Sequence, residues 1–551
     1  MQLFRTKPLK TILAEAEDSG EHTLKKTLSA SALTLLGVGA IIGTGIFVLT
    51  GQAAGKYAGP AVVVSMIIAG VVSALAALCY SEFAASVPIS GSAYAYGYAT
   101  LGEFVAWIIG WDLILEYAFG AATVAVGWSG NIVSLLADIG INFPVALSAA
   151  PGTRFVRLSE AACHQLGGMR MGETILNPVP GYSVLTDELA RGIAQAGIQV
   201  PIETALFNLP AVLIAIAVTA LLVKGIQESA NFNSVVVLVK IAVVVLFIIA
   251  GVGYVNTHYL GMNCTAGVGD CLSFIPPNTG TFGEYGYSGI LTGAAVIFFA
   301  YIGFDAVSTA AQEAKNPQRD MPRAIIGSLL ICTVLYILVS GIMVGLVPYS
   351  QLKEEAAPIA AAITAASQRA SEGATMSWLL RSFSIIIKVG AVLGLSSTMV
   401  VQIMGQPRVF YSMAKDGLLP GWAAKIHPRF RTPYITTIVT GCIVAVMGGL
   451  VPITVLGQLV NIGTLFAFVI VSIGIVVLRR TQPDLPRPFK VPFSPVVPIV
   501  AALASLYLMY GLPLDTWIRL MVWMAIGLVI YFAYSRRHSR LNQAGNETET
   551  E

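Results

Sequence analysis

The sequence predicts an all-α integral membrane protein of twelve transmembrane helices, with a 5+5 inverted-repeat core whose helices 1 and 6 are broken, plus two extra helices. Three observations carry this expectation. Hydrophobic residues make up 56% of the 551 and charged residues only 11%, with a mean hydropathy of +0.77, so water is not the main solvent of this chain. Apolar runs of about 17 to 25 residues, the length that crosses a bilayer, recur along it. Two of these runs, five apart, are interrupted by glycine and other small residues at mid-membrane depth.

Residues 1–30 are charged and mixed, unlike the short basic start of a cleaved signal peptide, and read as a cytoplasmic segment. The first repeat, 31–253, holds the runs Leu33 to Gly55, Ala61 to Val87, Phe104 to Leu136, Leu206 to Val223 and Val235 to Val252. The third run is long enough to tilt. After an outside loop at 254–287, the second repeat, 288–478, holds Ile290 to Ala311, Ala324 to Val347, Phe383 to Val409, Ile435 to Val451 and Val455 to Leu478. Two more runs, Val496 to Tyr510 and Trp517 to Tyr534, fill 479–535, and 536–551 is a short tail.

Lys and Arg orient the chain. If both termini are cytoplasmic, the inside segments hold 21 of them and the outside segments 9. The positive-inside rule therefore predicts a multi-pass membrane protein with both termini cytoplasmic. The net charge of +3 is too small for a chain of this length to suggest nucleic acid.

The first broken run reads Gly37-Val38-Gly39-Ala40-Ile41-Ile42-Gly43-Thr44-Gly45-Ile46-Phe47. Lipid cannot replace the backbone hydrogen bonds lost there, so unwound chain is tolerated only where it lines a cavity or is buried in protein. The sixth run, Ile297-Phe298-Phe299-Ala300-Tyr301-Ile302-Gly303-Phe304-Asp305-Ala306, is interrupted at the corresponding place. Half-helix amino ends suit a carboxylate and carboxyl ends suit an ammonium group. A zwitterion held between the two breaks and moved by alternating access is the expected ligand.

Ionisable residues inside spans are functional candidates, because burying each is costly. Glu116 lies mid-way along the third run and Lys240 in the fifth. If they approach, each lowers the cost of burying the other, and the pair is either a proton-coupling device or a permanent bridge. Asp112, one turn from Glu116, suits packing or gating, and Asp305 suits a cap on the half-helix that follows it. Lys388 is expected to snorkel to the interface, and Glu82 to serve a cytoplasmic gate or to meet a basic loop.

Six stretches in order carry a resemblance: Gly37 to Phe47, Pro88-Ile89-Ser90-Gly91-Ser92-Ala93-Tyr94, Gly110-Trp111-Asp112-Leu113-Ile114-Leu115-Glu116-Tyr117, Phe298 to Asp305, Glu313 to Arg323 and Pro407-Arg408-Val409-Phe410-Tyr411. With these the chain resembles the cationic amino acid transporter family of the amino acid, polyamine and organocation superfamily. Mammalian members have fourteen spans, so twelve look like the bacterial branch, which includes carriers of neutral amino acids. The resemblance implies a substrate pocket at Ile41, Gly43, Thr44 and Gly45 and at Phe299, Ala300 and Ile302. It also implies a Glu116–Lys240 pair, with Lys240 standing where sodium sits in sodium-coupled relatives. Proton-coupled symport of neutral or cationic L-amino acids is then expected, with exchange of amino acids or polyamines, or sodium coupling, as alternatives. On the eighth run Thr398, Met399 and Gln402 share a pocket-facing arc without an acid, which favours neutral substrates. Ser396, Ser397 and Thr398 are hydroxyls of the kind sodium-coupled relatives use.

An enzyme is disfavoured. Gly127-Trp128-Ser129-Gly130 has an intramembrane protease form, but all five histidines lie outside the runs, so no base is at hand. No His or Cys cluster has metal-ligand spacing, and no cofactor is expected. Cys264 and Cys271 are close enough in sequence to permit a disulfide, Cys163 is left over, and Cys79, Cys332 and Cys442 read as packing residues. The loop at about 142–205 mixes Pro, Gly and polar residues with weak helical patterning and carries no readable motif.

Overall fold

The computed structural model describes residues 5–8, 28–87, 92–167, 169–171, 174–175, 181–224, 230–262, 273–309, 311, 314–353, 355, 357–369, 374–430 and 432–541. Cys264 and Cys271 lie outside the described residues.

Apolar sequence without water forces the backbone to satisfy its own hydrogen bonds, and helix occupies every apolar run. Seven helical stretches are long and apolar enough to cross a membrane, among them Glu103–Asp138, Pro317–Leu346 and Ile453–Thr481. Shorter apolar helices cover Leu209–Lys224, Gly286–Tyr301, Tyr434–Leu450 and Val496–Tyr510. Large aliphatics such as Leu213, Leu330, Leu503 and Met521 face outward, while the buried polar side chains include Glu82, Glu116, Lys240 and Asp305. That inside-out pattern fits a lipid solvent. Cys79 and Cys332 pack inside as expected, whereas Cys442 is exposed on its helix.

The two breaks set the site. Helix Ala30–Ile41 ends at Ile42, and the chain resumes as a wide helical turn at Gly45–Leu49, running on through Thr50–Ala53 and Ala54–Ala58. In the other run, helix Gly286–Ile297 tightens to a 3-10 turn at Phe298–Tyr301, then leaves helical geometry at Ile302 and at Gly303, whose φ of +119° favours glycine. The break therefore falls two to three residues after Phe299 and Ala300, the residues expected at the pocket. The tight turn keeps those two residues helical.

Residues 142–205 form a small domain of their own. Strands β1 (Arg154–Leu158), β4 (Gly181–Val184) and β5 (Ile202–Thr204) pair antiparallel in the order β4-β1-β5, and β2 (Arg170–Met171) pairs with β3 (Thr174–Ile175). Two helices cover the sheet, capped by Ser159 on Ala162 N–H (3.2 Å) and by Thr186 on Leu189 N–H (3.2 Å). Val156, Leu158, Ala162, Cys163, Leu166, Leu189 and Ile193 make its core.

On the opposite face the two terminal segments meet. Lys7 Nζ pairs with Asp416 Oδ1 at 2.9 Å, and Tyr94 donates to Asp416 Oδ2 at 2.7 Å. Glu103 accepts from Tyr531 at 3.1 Å and from Ser539. Nearby, fully buried Glu82 accepts from Arg479 Nε at 2.8 Å and from Val491 N–H at 2.7 Å, with Arg487 Nε 3.6 Å away. Of the two roles open to Glu82, this is the one that meets a basic loop.

Candidate functional site

The first half-helix, Ala30–Ile41, ends with carbonyls that have no helical partner and carry the negative end of its dipole. Lys240 fills that position. Its Nζ donates to Gly39 O at 2.7 Å, to Ile42 O at 3.1 Å and to Thr398 Oγ1 at 2.8 Å, which uses all three of its donors. Thr398 donates to Ile42 O at 3.1 Å, and a Cβ on Gly394 would lie 3.1 Å from Lys240 Cγ, so small residues on that helix make room for the lysine stem.

The Glu116–Lys240 ion pair expected from the sequence does not form, because the lysine is already satisfied by oxygens of the unwound chain. Glu116 instead belongs to a carboxyl group of neighbours: Asp305 and Asp112 act on it electrostatically, the Thr464 hydroxyl is close, and Glu116 Oε1 has no hydrogen-bond partner. Its helix widens to a π turn at Leu115–Phe119, a feature frequent at functional sites, and this directs both Glu116 and Tyr117 inward. Tyr117 Oη donates to Asp305 Oδ2 at 3.4 Å, and Asp305 Oδ1 accepts from Gly303 N–H at 3.2 Å. Asp305 therefore pins the unwound turn before it, rather than capping the short helix after it.

A cavity of about 10 Å³ opens among Ala40, Glu116, Tyr117, Ile302, Gly303, Val401 and Gln402. That is room for about one water. Of the residues expected at the pocket, Ile302 and Gln402 line it. The remainder are packed close by: a Cβ on Gly45 would lie 2.2 Å from Ala300 Cα, and one on Gly43 would lie 3.0 Å from the Thr398 methyl. Ile41 gives its carbonyl to Tyr336 at 2.8 Å, Phe299 and Met399 are buried off the wall, and Thr44 is buried against Gly127 with its hydroxyl unpartnered. The two breaks thus touch directly, in a conformation closed around the site. Sequence reading missed Ala40, Tyr117, Gly303 and Val401 on the wall; the wide turn presents Tyr117 and the second break presents Gly303.

Two other charged side chains, Lys388 and Asp112, are buried. Lys388 does not snorkel; its Nζ pairs with Asp138 Oδ2 at 2.6 Å. Asp112 abuts Gly463, where a Cβ would lie 2.9 Å from Asp112 Oδ1. Ser129 donates to Asn208 Oδ1 at 2.6 Å, an interhelical contact with no base at hand. Among the described residues no cluster of His, Cys, Asp and Glu has a form that holds a metal.

The amino acid permease family model matches residues 28–531. The chain is 44% identical to the branched-chain amino acid permease BcaP of Bacillus subtilis (strain 168) over 98% of this chain and 99% of that protein. It is 42% identical to the methylthioribose transporter of the same organism, again over 98% and 99%. To the vacuolar cationic amino acid transporter 4 of Arabidopsis thaliana it is 30% identical over 96% of this chain and 94% of that protein. These relatives are transporters, not enzymes, and the chain belongs to the amino acid permease family.

Proposed function

We propose that the protein carries neutral L-amino acids inward across the bacterial inner membrane together with a proton, by alternating access and without sodium. The observation that carries this reading is Lys240. Two carbonyls and a hydroxyl converge on its ammonium at 2.7 to 3.1 Å, a set of oxygens that suits a monovalent cation and is here taken by a tethered one. Glu116, buried with its Oε1 unpartnered, is the proton carrier in this reading.

Twelve crossings in two five-helix repeats plus two helices fit the positions of the two breaks, and the excess of Lys and Arg on the terminal face supports placing that face in the cytoplasm. When the breaks separate, amides at Gly43 to Gly45 face the substrate carboxylate and carbonyls of Phe298 to Tyr301 face its amine. Ala40, Ile302 and Val401 then offer the side chain an aliphatic wall. This wall, with relatives named for branched-chain amino acids, favours leucine, isoleucine and valine.

Liposomes containing the purified protein test the proposal. Labelled leucine should accumulate under an inward proton gradient with choline replacing sodium, and unlabelled isoleucine should compete better than arginine or methylthioribose. Uptake that stops when sodium is removed, at a fixed proton gradient, would overturn the lysine argument. Accumulation only against preloaded amino acid would make the protein an exchanger.

A further inference from the structure

The inserted domain is rooted on one group of helices and grips another. Its two connecting chains leave helix Glu103–Asp138 and enter helix Leu209–Lys224, and they are bound together by Leu206 N–H to Ala146 O (2.7 Å) and Ala205 N–H to Thr153 O (2.8 Å). Asn208 N–H donates onward to Gly449 O at 2.9 Å, which fixes the root to helix Tyr434–Leu450.

From this root the domain reaches across to the turn Tyr349–Leu352, which follows helix Pro317–Leu346. Lys353, the next residue, pairs through Nζ with Glu188 Oε1 at 3.0 Å. Strand β3 lies beside the same turn. The backbone of Lys353 rests on the second half of the first broken run, where a Cβ on Gly55 would lie 2.4 Å from both Lys353 N and Cα. Pro358 presses on Gly51 of the same segment, where a Cβ would lie 2.4 Å from its own Cβ. From the other side Tyr285 donates to Gly55 O at 2.6 Å. The turn is therefore a lid on residues 45–58, and one side chain of the inserted domain holds it.

We propose that the inserted domain is the latch of the gate on its face of the membrane, with Glu188 holding Lys353 and its turn down on Gly55 until the second half of the broken helix opens. The proposal rests on alternating access but not on which ion drives it. Glu188 suits the task chemically: partial burial alone would raise its pKa, but its own backbone N–H and Lys353 hold it below the ordinary carboxylate value, so it stays charged at neutral pH. At 17% and 34% side-chain exposure the pair is wet enough to break and re-form within a transport cycle.

Hydrogen exchange of the full-length protein in lipid nanodiscs tests this. Glu188→Gln and Lys353→Gln should each speed exchange of backbone amides in 349–353 and 45–58 by roughly two- to five-fold, the range expected for a half-exposed pair. The exchanged pair Glu188→Lys with Lys353→Glu should return it toward the parent rate. Amides of 154–166, inside the domain, and of 408–416, on the opposite face, should not change. Unchanged exchange at 349–353 in both single variants would overturn the proposal, as would failure of the charge exchange to restore it. A rise spreading to 154–166 would also overturn it, by showing that the pair stabilises the domain rather than the gate. Failure of proton coupling would leave these rates untouched and would appear only in uptake.

Discussion

Lys240 Nζ donates to Thr398 Oγ1 at 2.8 Å, and the same hydroxyl donates to Ile42 O at 3.1 Å, so one lysine and one threonine together close the carboxyl end of the first half-helix. The pair joins the fifth and eighth apolar runs to the break in the first. Lys240→Met removes the charge and leaves the Gly39 carbonyl without its 2.7 Å donor. We expect a stability loss of about 1–3 kcal/mol, and uptake reduced to background, because the cation that offsets the carboxyl end of the half-helix is gone. Thr398→Val should cost less, since Lys240 still reaches both carbonyls. Thermal unfolding in detergent and uptake in liposomes check both; a Lys240→Met protein that transports like the parent would remove the lysine from the mechanism.

Two glycines of the first break should respond differently to the same methyl group. The new Cβ of Gly45→Ala would meet the Ala300 backbone at 2.2 Å, and backbone cannot step aside. That of Gly43→Ala would meet the Thr398 methyl at 3.0 Å, where a small shift suffices. Gly45→Ala should therefore cost about 1–3 kcal/mol and abolish uptake, whereas Gly43→Ala should cost under about 1 kcal/mol. Equal effects would mean that the breaks do not pack this closely during transport.

At the terminal face, Glu82→Gln should loosen the chain that follows helix Ile453–Thr481. The parent carboxylate accepts from Arg479 and the Val491 amide together, with Arg487 Nε 3.6 Å away, and an amide side chain cannot replace those charge-assisted bonds. A loss of about 2–3 kcal/mol is expected, with faster exchange of the Val491 amide as the local readout. Unchanged protection there would show that the loop is held by its apolar contacts alone.

How far the sequence could be read depended on whether a feature is local. Both breaks are, because Gly43 to Gly45 and Gly303 carry their own backbone freedom wherever they are placed. That Lys240 and Glu116 are buried was equally legible from their apolar surroundings. Their partners were not. Lys240 is held largely by carbonyl oxygens, which every residue has, so no residue type signals them. Glu116 meets Asp305 through a π turn that shifts the inward face of its helix, and no spacing rule anticipates that turn. The inserted domain has capping residues at Ser159 and Thr186, but its strands are two to five residues long and pair out of sequence order. Composition alone showed a polar loop.

The carboxyl group around Glu116 gives the sharpest expectation for coupling. If Glu116 takes up the coupling proton, Glu116→Gln fixes a neutral side chain where that proton would sit, and the gradient loses the group it acts on. Accumulation against a leucine gradient should be lost, while exchange of external for internal leucine, which needs no net proton movement, should persist. Asp305→Asn should leave exchange intact, because its side-chain oxygen can still accept from Gly303 N–H and keep the unwound turn in place. The double variant should lose accumulation as Glu116→Gln does, since the effects of neighbouring residues do not simply add. Parallel measurements of net uptake and of exchange in liposomes decide the matter. Accumulation at the parent level in Glu116→Gln would make this carboxyl structural and leave Asp112, buried against Gly463, as the next acid to test.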